Sequence, residues 1–196
     1  MLITFVIPSI GRATLANTLC SLYEQSYDDW NAIVCFDDVK PIIKDHYKVH
    51  VLNTPSKLGV GRNGAGAVRN YAIKEMAHRQ SLGKWIGFVD DDDTLSPMYT
   101  DYLFHHNRRD PVPDIIVFSM QWVEGRVLPR DHTLPLEQLE NDIGISFCCQ
   151  KHVFSQIQFD PSSGEDFDFL KRAQQIGFMV KIVPEVMYYV NPIAHT

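Results

Sequence analysis

The chain has 196 residues, 45% hydrophobic and 21% charged, with a formal net charge of −6. This describes one globular domain with a real core, and with no basic block to offset the charge it argues against nucleic acid or an anionic membrane as the main partner. No apolar run approaches the ~20 residues of a membrane span, and the four cysteines form no CxxC pair, which argues against a zinc site or disulfide framework and fits a reducing, cytoplasmic setting with peripheral membrane attachment left open.

Residues 2–7 are an unbroken apolar run, the pattern of a strand covered on both faces. With no basic leader or small-residue cleavage site, they read as a first strand and not as a signal peptide. Residues 8–12 form a turn, and Leu15, Leu19 and Leu22 recur at helical spacing to about Gln25. Residues 32–36 predict a second strand ending in Asp37-Asp38, and residues 49–52 a third. A glycine-rich loop spans 59–66, then a helix from Ala67 to about Ser81. The fourth strand, 85–89, runs into four aspartates, Asp90 to Asp93, and a helix from Pro97 to about Asn107. Shorter strands fit 115–118, 121–123 and 143–149; a helix fits 164–176; two last strands fit 179–183 and 186–190. The alternation predicts an α/β fold, a mostly parallel sheet flanked by helices with a small antiparallel C-terminal part.

Three acidic clusters stand out: Asp37-Asp38, Asp90 to Asp93, and Glu165-Asp166 with Asp168. The first two each follow a predicted strand, and ligands of open α/β sheets gather at strand carboxyl ends. Taken singly, each cluster is well explained as an exposed turn or a helix cap. Crowded carboxylates raise the cost of ionising one another, and a hard cation such as magnesium, manganese or calcium relieves it. Asp90 and Asp92, two apart, would face the same way if the backbone stays extended. The loop 59–66 contains a literal GxGxxG, but it lies beyond the third strand and not in the first strand-helix turn, so the match is weak. Lys57, Arg62 and Arg69 around it suit phosphate charge.

Five stretches together resemble glycosyltransferase family 2, with its GT-A fold. Residues 5–12 resemble its opening strand and turn; residues 34–38 its second strand and nucleoside-binding aspartate; residues 67–70, Ala-Val-Arg-Asn, an element ahead of the metal motif; Phe88 to Asp93 the DxD motif; and Gly164-Glu165-Asp166 the acidic motif that supplies a catalytic base. The order holds over nearly the whole chain. The resemblance implies a single domain, 1–196, with a donor-binding half at 1–110 and an acceptor half at 111–196. It implies a nucleoside-diphosphate sugar donor, most often a UDP-sugar, and a glycan or other hydroxyl acceptor. Pro8, Ser9, Arg12, Asp38, Lys57, Arg62, Arg69, Asp90 and Asp91 would line the donor site. Asp92, with Asp90 and His195, would bind Mn2+ or Mg2+. Asp166 would be the base, with Glu165 sharing that role or binding acceptor, and transfer would invert the sugar carbon. The usual Gly-Ser after the second-strand aspartates is replaced by Val39-Lys40-Pro41, which bears on base recognition. Little chain follows the last motif, so an acceptor-binding lid is expected from a partner or a further domain of a longer protein.

Two rival readings share these residues. Asp90 to Leu95 also fits the DxDxT start of haloacid dehalogenase phosphatases, with Asp90 as nucleophile and Asp92 as acid/base. That motif normally occupies the first strand of its domain, whereas here three strands precede it. The other rival is a nucleotide-sugar- or glycan-binding module without turnover. An EF-hand loop is excluded because its glycine and terminal glutamate are absent.

Overall fold

Every residue of β1 (Ile3–Ser9) and β2 (Trp30–Phe36) is buried, which is why both read as near-continuous apolar runs. The computed structural model describes residues 1–59, 64–108, 110–160 and 164–190. Between and after these strands come α1 (Leu15–Tyr23), β3 (Val49–Asn53), α2 (Ala65–His78), β4 (Trp85–Phe88), β5 (Thr94–Leu95) and α3 (Tyr99–His106). The C-terminal part holds β6 (Ile115–Trp122), β7 (Val127–Leu128), β8 (Phe147–Gln150), α4 (Glu165–Gln175) and β9 (Val180–Val190).

The strands form one sheet in the order β3-β2-β1-β4-β8-β6-β9-β5, with β7 on β6. Strands β1 to β4 pair in parallel. Strand β8 then inserts antiparallel to both β4 and β6, and β6 pairs in parallel with β9. The fold is therefore the α/β arrangement the sequence predicts.

The C-terminal strands differ from expectation. Residues 115–122 form one strand, not two, and β9 runs unbroken through Pro184. The β6–β9 ladder skips from Val117–Ile182 to Ser119–Val186, so Pro184 lies at an irregularity where the ladder requires no donor from it. The strand expected at 143–149 narrows to β8, and the two-residue strands β5 and β7 carry too little pattern to be read from sequence.

An aromatic cluster ties α4 to the sheet. Phe88 of β4 meets Phe147 of β8 and Phe159, each at 5.2 Å between ring centroids, and Phe169 of α4 stacks on Phe159 at 4.7 Å. Cys35, Cys148 and Cys149 are buried thiols, while Cys20 is exposed. Burial pushes the Cys35 thiol up to about 12 and raises Cys148 and Cys149 further, so none of the three is a ready nucleophile.

Candidate active site

Parallel pairing puts the ends of β1, β2 and β4 on one edge of the sheet. Ser9 lies opposite Phe36, and Val6 opposite Phe88, so residues 9–12, 37–38 and 89–93 emerge side by side. Pro8 is buried within β1, and Ser9 is the last strand residue before the turn.

The four aspartates do not continue the strand. The Asp93 amide donates to the Asp90 carbonyl at 3.1 Å, closing a turn, and Thr18 of α1 donates to the Asp93 carbonyl at 2.7 Å. The backbone therefore does not stay extended here, and the turn shares the four repelling carboxylates among Arg69, Arg12 and Tyr188. Asp90 faces Arg69, with Oδ1 2.6 Å from Nη2. Asp91 is buried and accepts from Ser9 Oγ at 2.7 Å, the Ile10 amide at 3.2 Å and Arg12 Nη1 at 2.8 Å. Asp92 accepts from the same Arg12 nitrogen, also at 2.8 Å. Asp93 accepts from the Tyr188 hydroxyl at 2.7 Å, and that hydroxyl also receives the Asp90 amide at 3.2 Å.

A second hub forms where α2 meets α4. Arg69 is buried, and its Nη1 contacts Glu165 Oε1 and Asp166 Oδ1, each at 3.2 Å. One guanidinium therefore faces three carboxylates. Burial alone would favour losing its proton, but Asp90, Asp166 and Glu165 outweigh that and hold its pKa above the ordinary arginine value. Glu165 also accepts the Gly66 amide at 2.9 Å. A Cβ at Gly66 would lie 2.8 Å from Phe159 Cβ and 2.5 Å from Glu165 Oε2, so this approach requires glycine. Gly164, at φ +77, turns the chain into α4 and delivers Glu165, Asp166 and Asp168 to the first helical turn, where the helix dipole favours negative charge.

The two α4 carboxyls titrate unusually. Burial pushes Asp166 up to about 6, against the pull of Arg69 and with a push from Asp90. Burial pushes Glu165 up to about 7, against Arg69 and with the nearby Asp166 adding to the rise. Glu165 Oε2 has no hydrogen-bond partner among the described residues, which further disfavours the ionised form. Asp166 keeps 25% of its side chain open to solvent and Glu165 only 10%, so Asp166 is the more accessible of the two.

The second-strand aspartates divide their work. Asp37 is buried and accepts the Leu58 and Gly59 amides at 2.7 and 2.9 Å, tying down the start of the glycine-rich loop. Asp38 is exposed at φ 55, a left-handed conformation aspartate tolerates, and its carboxylate has no partner among the described residues. Lys57 is exposed beside the same loop. Arg62 and His195 lie outside the described residues.

Asp37, Asn70 and Tyr188 were missed as site residues. Asn70 donates to the Phe159 carbonyl and accepts the Phe159 amide, so α2 grips the segment leading into α4. The sequence signal for Asn70 is its place at the end of the Ala-Val-Arg-Asn element, and Tyr188 lies within the strand β9.

Among the described residues, no three metal-ligating side chains converge on one point. A site for magnesium or manganese is still compatible with the chain. Oxygens of Asp91 and Asp92 already share one cationic nitrogen, and these ions commonly take one or two carboxylates plus waters and substrate phosphates.

A family model described as glycosyl transferase family 2 matches residues 4–152. Among solved structures, S. aureus TarS 1-349 matches with a TM-score of 0.75 and 18% identity, over 97% of this chain and 60% of that one. The complex of that protein with UDP-GlcNAc matches with a TM-score of 0.77 and 18% identity, over 97% and 58%. The mannosyltransferase PcManGT from Pyrobaculum calidifontis, in complex with GDP-Man and Mn2+, matches with a TM-score of 0.64 and 15% identity, over 95% and 55%. The chain thus spans little more than half the length of these proteins, and at such identities the likeness is one of fold. A comparison with curated proteins finds none that matches. Among the described residues no helix is long and apolar enough to cross a membrane.

Proposed function

The chain belongs to glycosyl transferase family 2, and on that premise we propose that it moves a sugar, with inversion, from a nucleoside-diphosphate sugar to a hydroxyl acceptor. The observation that carries this reading is the convergence at one sheet edge of Asp38, the Asp91–Asp92 pair and Asp166. A UDP-sugar is the favoured donor, supported by the fold shared with a protein solved with UDP-GlcNAc. Residues 1–110 are assigned to the donor and residues 111–196 to the acceptor.

In this reading Asp38 contacts the nucleotide base with its exposed carboxylate. Lys57 and Arg62 meet phosphate charge. Asp92 would hold a divalent cation beside Asp91, with Asp90 and His195 as further candidates. When bound, that cation supplies charge stabilisation for the departing diphosphate. Asp166 takes the acceptor hydroxyl's proton as the oxygen attacks the anomeric carbon. The new carbon–oxygen bond forms on one face while the bond to the diphosphate breaks on the other, its electron pair leaving on the phosphate oxygen. Arg69 keeps a positive charge beside Asp166, which favours the ionised base before reaction. A phosphatase would instead need Asp90 as nucleophile, and Arg69 holds that carboxylate.

Thermal melting of the protein with nucleoside diphosphates and diphosphosugars, with and without manganese, tests the reading. A true donor raises the midpoint by mass action. If no nucleotide shifts it under any metal, the reading fails.

A further inference from the structure

Arg12 stands where a cation would. A single guanidinium nitrogen lies 2.8 Å from Asp91 Oδ1 and 2.8 Å from Asp92 Oδ2, the point on which both carboxylates converge. The two carboxylates are buried, with side-chain exposures of 3% and 8%, while the arginine is 39% exposed. Asp91 is fixed from its other oxygen by Ser9 and the Ile10 amide, so it cannot follow a departing partner. Arg12 extends from the same turn, where the Gly11 amide also bonds Ser9 Oγ at 3.0 Å. The anchored member of this contact is Asp91, and the more exposed member is the arginine.

We propose that Arg12 is a resident counter-ion that a divalent metal must displace from Asp92, so that the protein holds metal tightly only together with a nucleoside diphosphate. This rests on the metal-dependent reading above and adds to it an order of events. With Arg12 in place, an approaching dication meets a like charge at the point where the carboxylates converge. A diphosphate removes that obstacle in two ways. Its oxygens attract the guanidinium, for which bidentate phosphate contact is favourable. They also fill coordination positions that Asp91 and Asp92 leave open. Removing Arg12 takes a positive charge away from two buried carboxylates, which raises the gain from binding another cation beside them. The substitution that removes a positive charge from the donor site should therefore strengthen metal binding in the absence of nucleotide.

The test is a titration of Mn2+ alone and Mn2+ with UDP or GDP, read by the paramagnetic resonance of the free ion, on the full chain. In the unsubstituted protein, affinity for Mn2+ alone should be at least tenfold weaker than with a nucleotide. Arg12→Gln should bind Mn2+ alone at least tenfold more tightly than the unsubstituted protein. Arg12→Ala, which adds no new polar group, should do the same and serves if the first variant folds poorly. Arg12→Lys, which keeps the charge, should stay near the unsubstituted protein. Adding Asp92→Asn to Arg12→Gln should abolish the gain. If Arg12→Gln and Arg12→Ala bind Mn2+ alone no more tightly while the unsubstituted protein binds Mn2+ with UDP or GDP, the counter-ion role is overturned and the metal-dependent reading stands. A gain that survives Asp92→Asn also overturns it. Absence of Mn2+ binding in every variant with either nucleotide overturns both.

Discussion

Asn70 and Phe159 are bonded twice: the Asn70 amide nitrogen donates to the Phe159 carbonyl at 2.8 Å, and the Phe159 amide donates to Asn70 Oδ1 at 3.0 Å. A helix side chain here satisfies both polar groups of a distant backbone residue, as a strand neighbour would. The contact joins the helix that carries Arg69 to the segment that delivers Asp166. Asn70→Asp keeps the acceptor but replaces the donor with a second oxygen facing the carbonyl. It should lower stability by about 1–3 kcal/mol and reduce turnover more than donor affinity. Chemical denaturation and a split of kcat from KM check this.

Asp166→Asn keeps size and loses the ability to take a proton. Donor-induced thermal stabilisation should persist while kcat falls by about 10²–10⁴-fold. Loss of metal-dependent nucleotide binding in this variant would show that Asp166 is misassigned as the base.

The raised pKa values of α4 set a pH dependence. A protonated Asp166 cannot accept another proton, so kcat/KM should rise as pH passes upward through about 6. The stability effect runs the other way. Between the ordinary values of 3.8 for Asp166 and 4.5 for Glu165 and their raised values of about 6 and about 7, the native state binds more protons than the unfolded chain. Stability contributed by these two groups is therefore present below the lower values and declines as pH rises through that window. Melting curves across pH 4–8, compared with those of Glu165→Gln, should show the decline and its partial removal.

Arg69→Met should be costly. It leaves Asp90, Glu165 and Asp166 facing one another without a cation. Breaking a buried pair costs about 3–5 kcal/mol, and the lower end applies because Asp90 and Asp166 still reach water. Because Arg69 pulls the Asp166 pKa down, the acid limb of any residual activity should move to higher pH.

Gly66→Ala places a methyl against Phe159 Cβ and Glu165 Oε2. The carboxylate can turn aside, but the Phe159 Cβ is fixed by its backbone. Overpacking of this kind costs about 1–3 kcal/mol, and urea denaturation should show it together with reduced turnover.

Much of this was legible in the sequence because the signals are local. The apolar runs of β1, β2 and β4 mark strands buried on both faces, and the carboxylates follow them directly. The merging of the last strands was not legible, since Pro184 reads as a break until the β6 ladder is seen to skip there. The resemblance assigns Asp90, Asp91 and Asp92 unequal work, but the contacts behind that inequality are not local. Their hydrogen-bond partners, Ser9, Arg12, Arg69 and Tyr188, arrive from elsewhere in the chain. The resemblance picks out Asp38, but the structural work of Asp37 is visible only once the loop from β3 turns back and takes it.

The uneven placement of the four thiols gives the chain a built-in reporter of its own opening. Cys20 on α1 is accessible from the start and should react with a maleimide at once. Cys35 sits on β2, while Cys148 and Cys149 sit on β8, so the strands β1 and β4 lie between them. Labelling of Cys35 alone would register loosening of the β3-β2-β1 side of the sheet. Labelling of the adjacent pair would register separation of the strand that bridges the parallel and C-terminal portions. Simultaneous labelling of all three would mean that both sides come apart in one cooperative event.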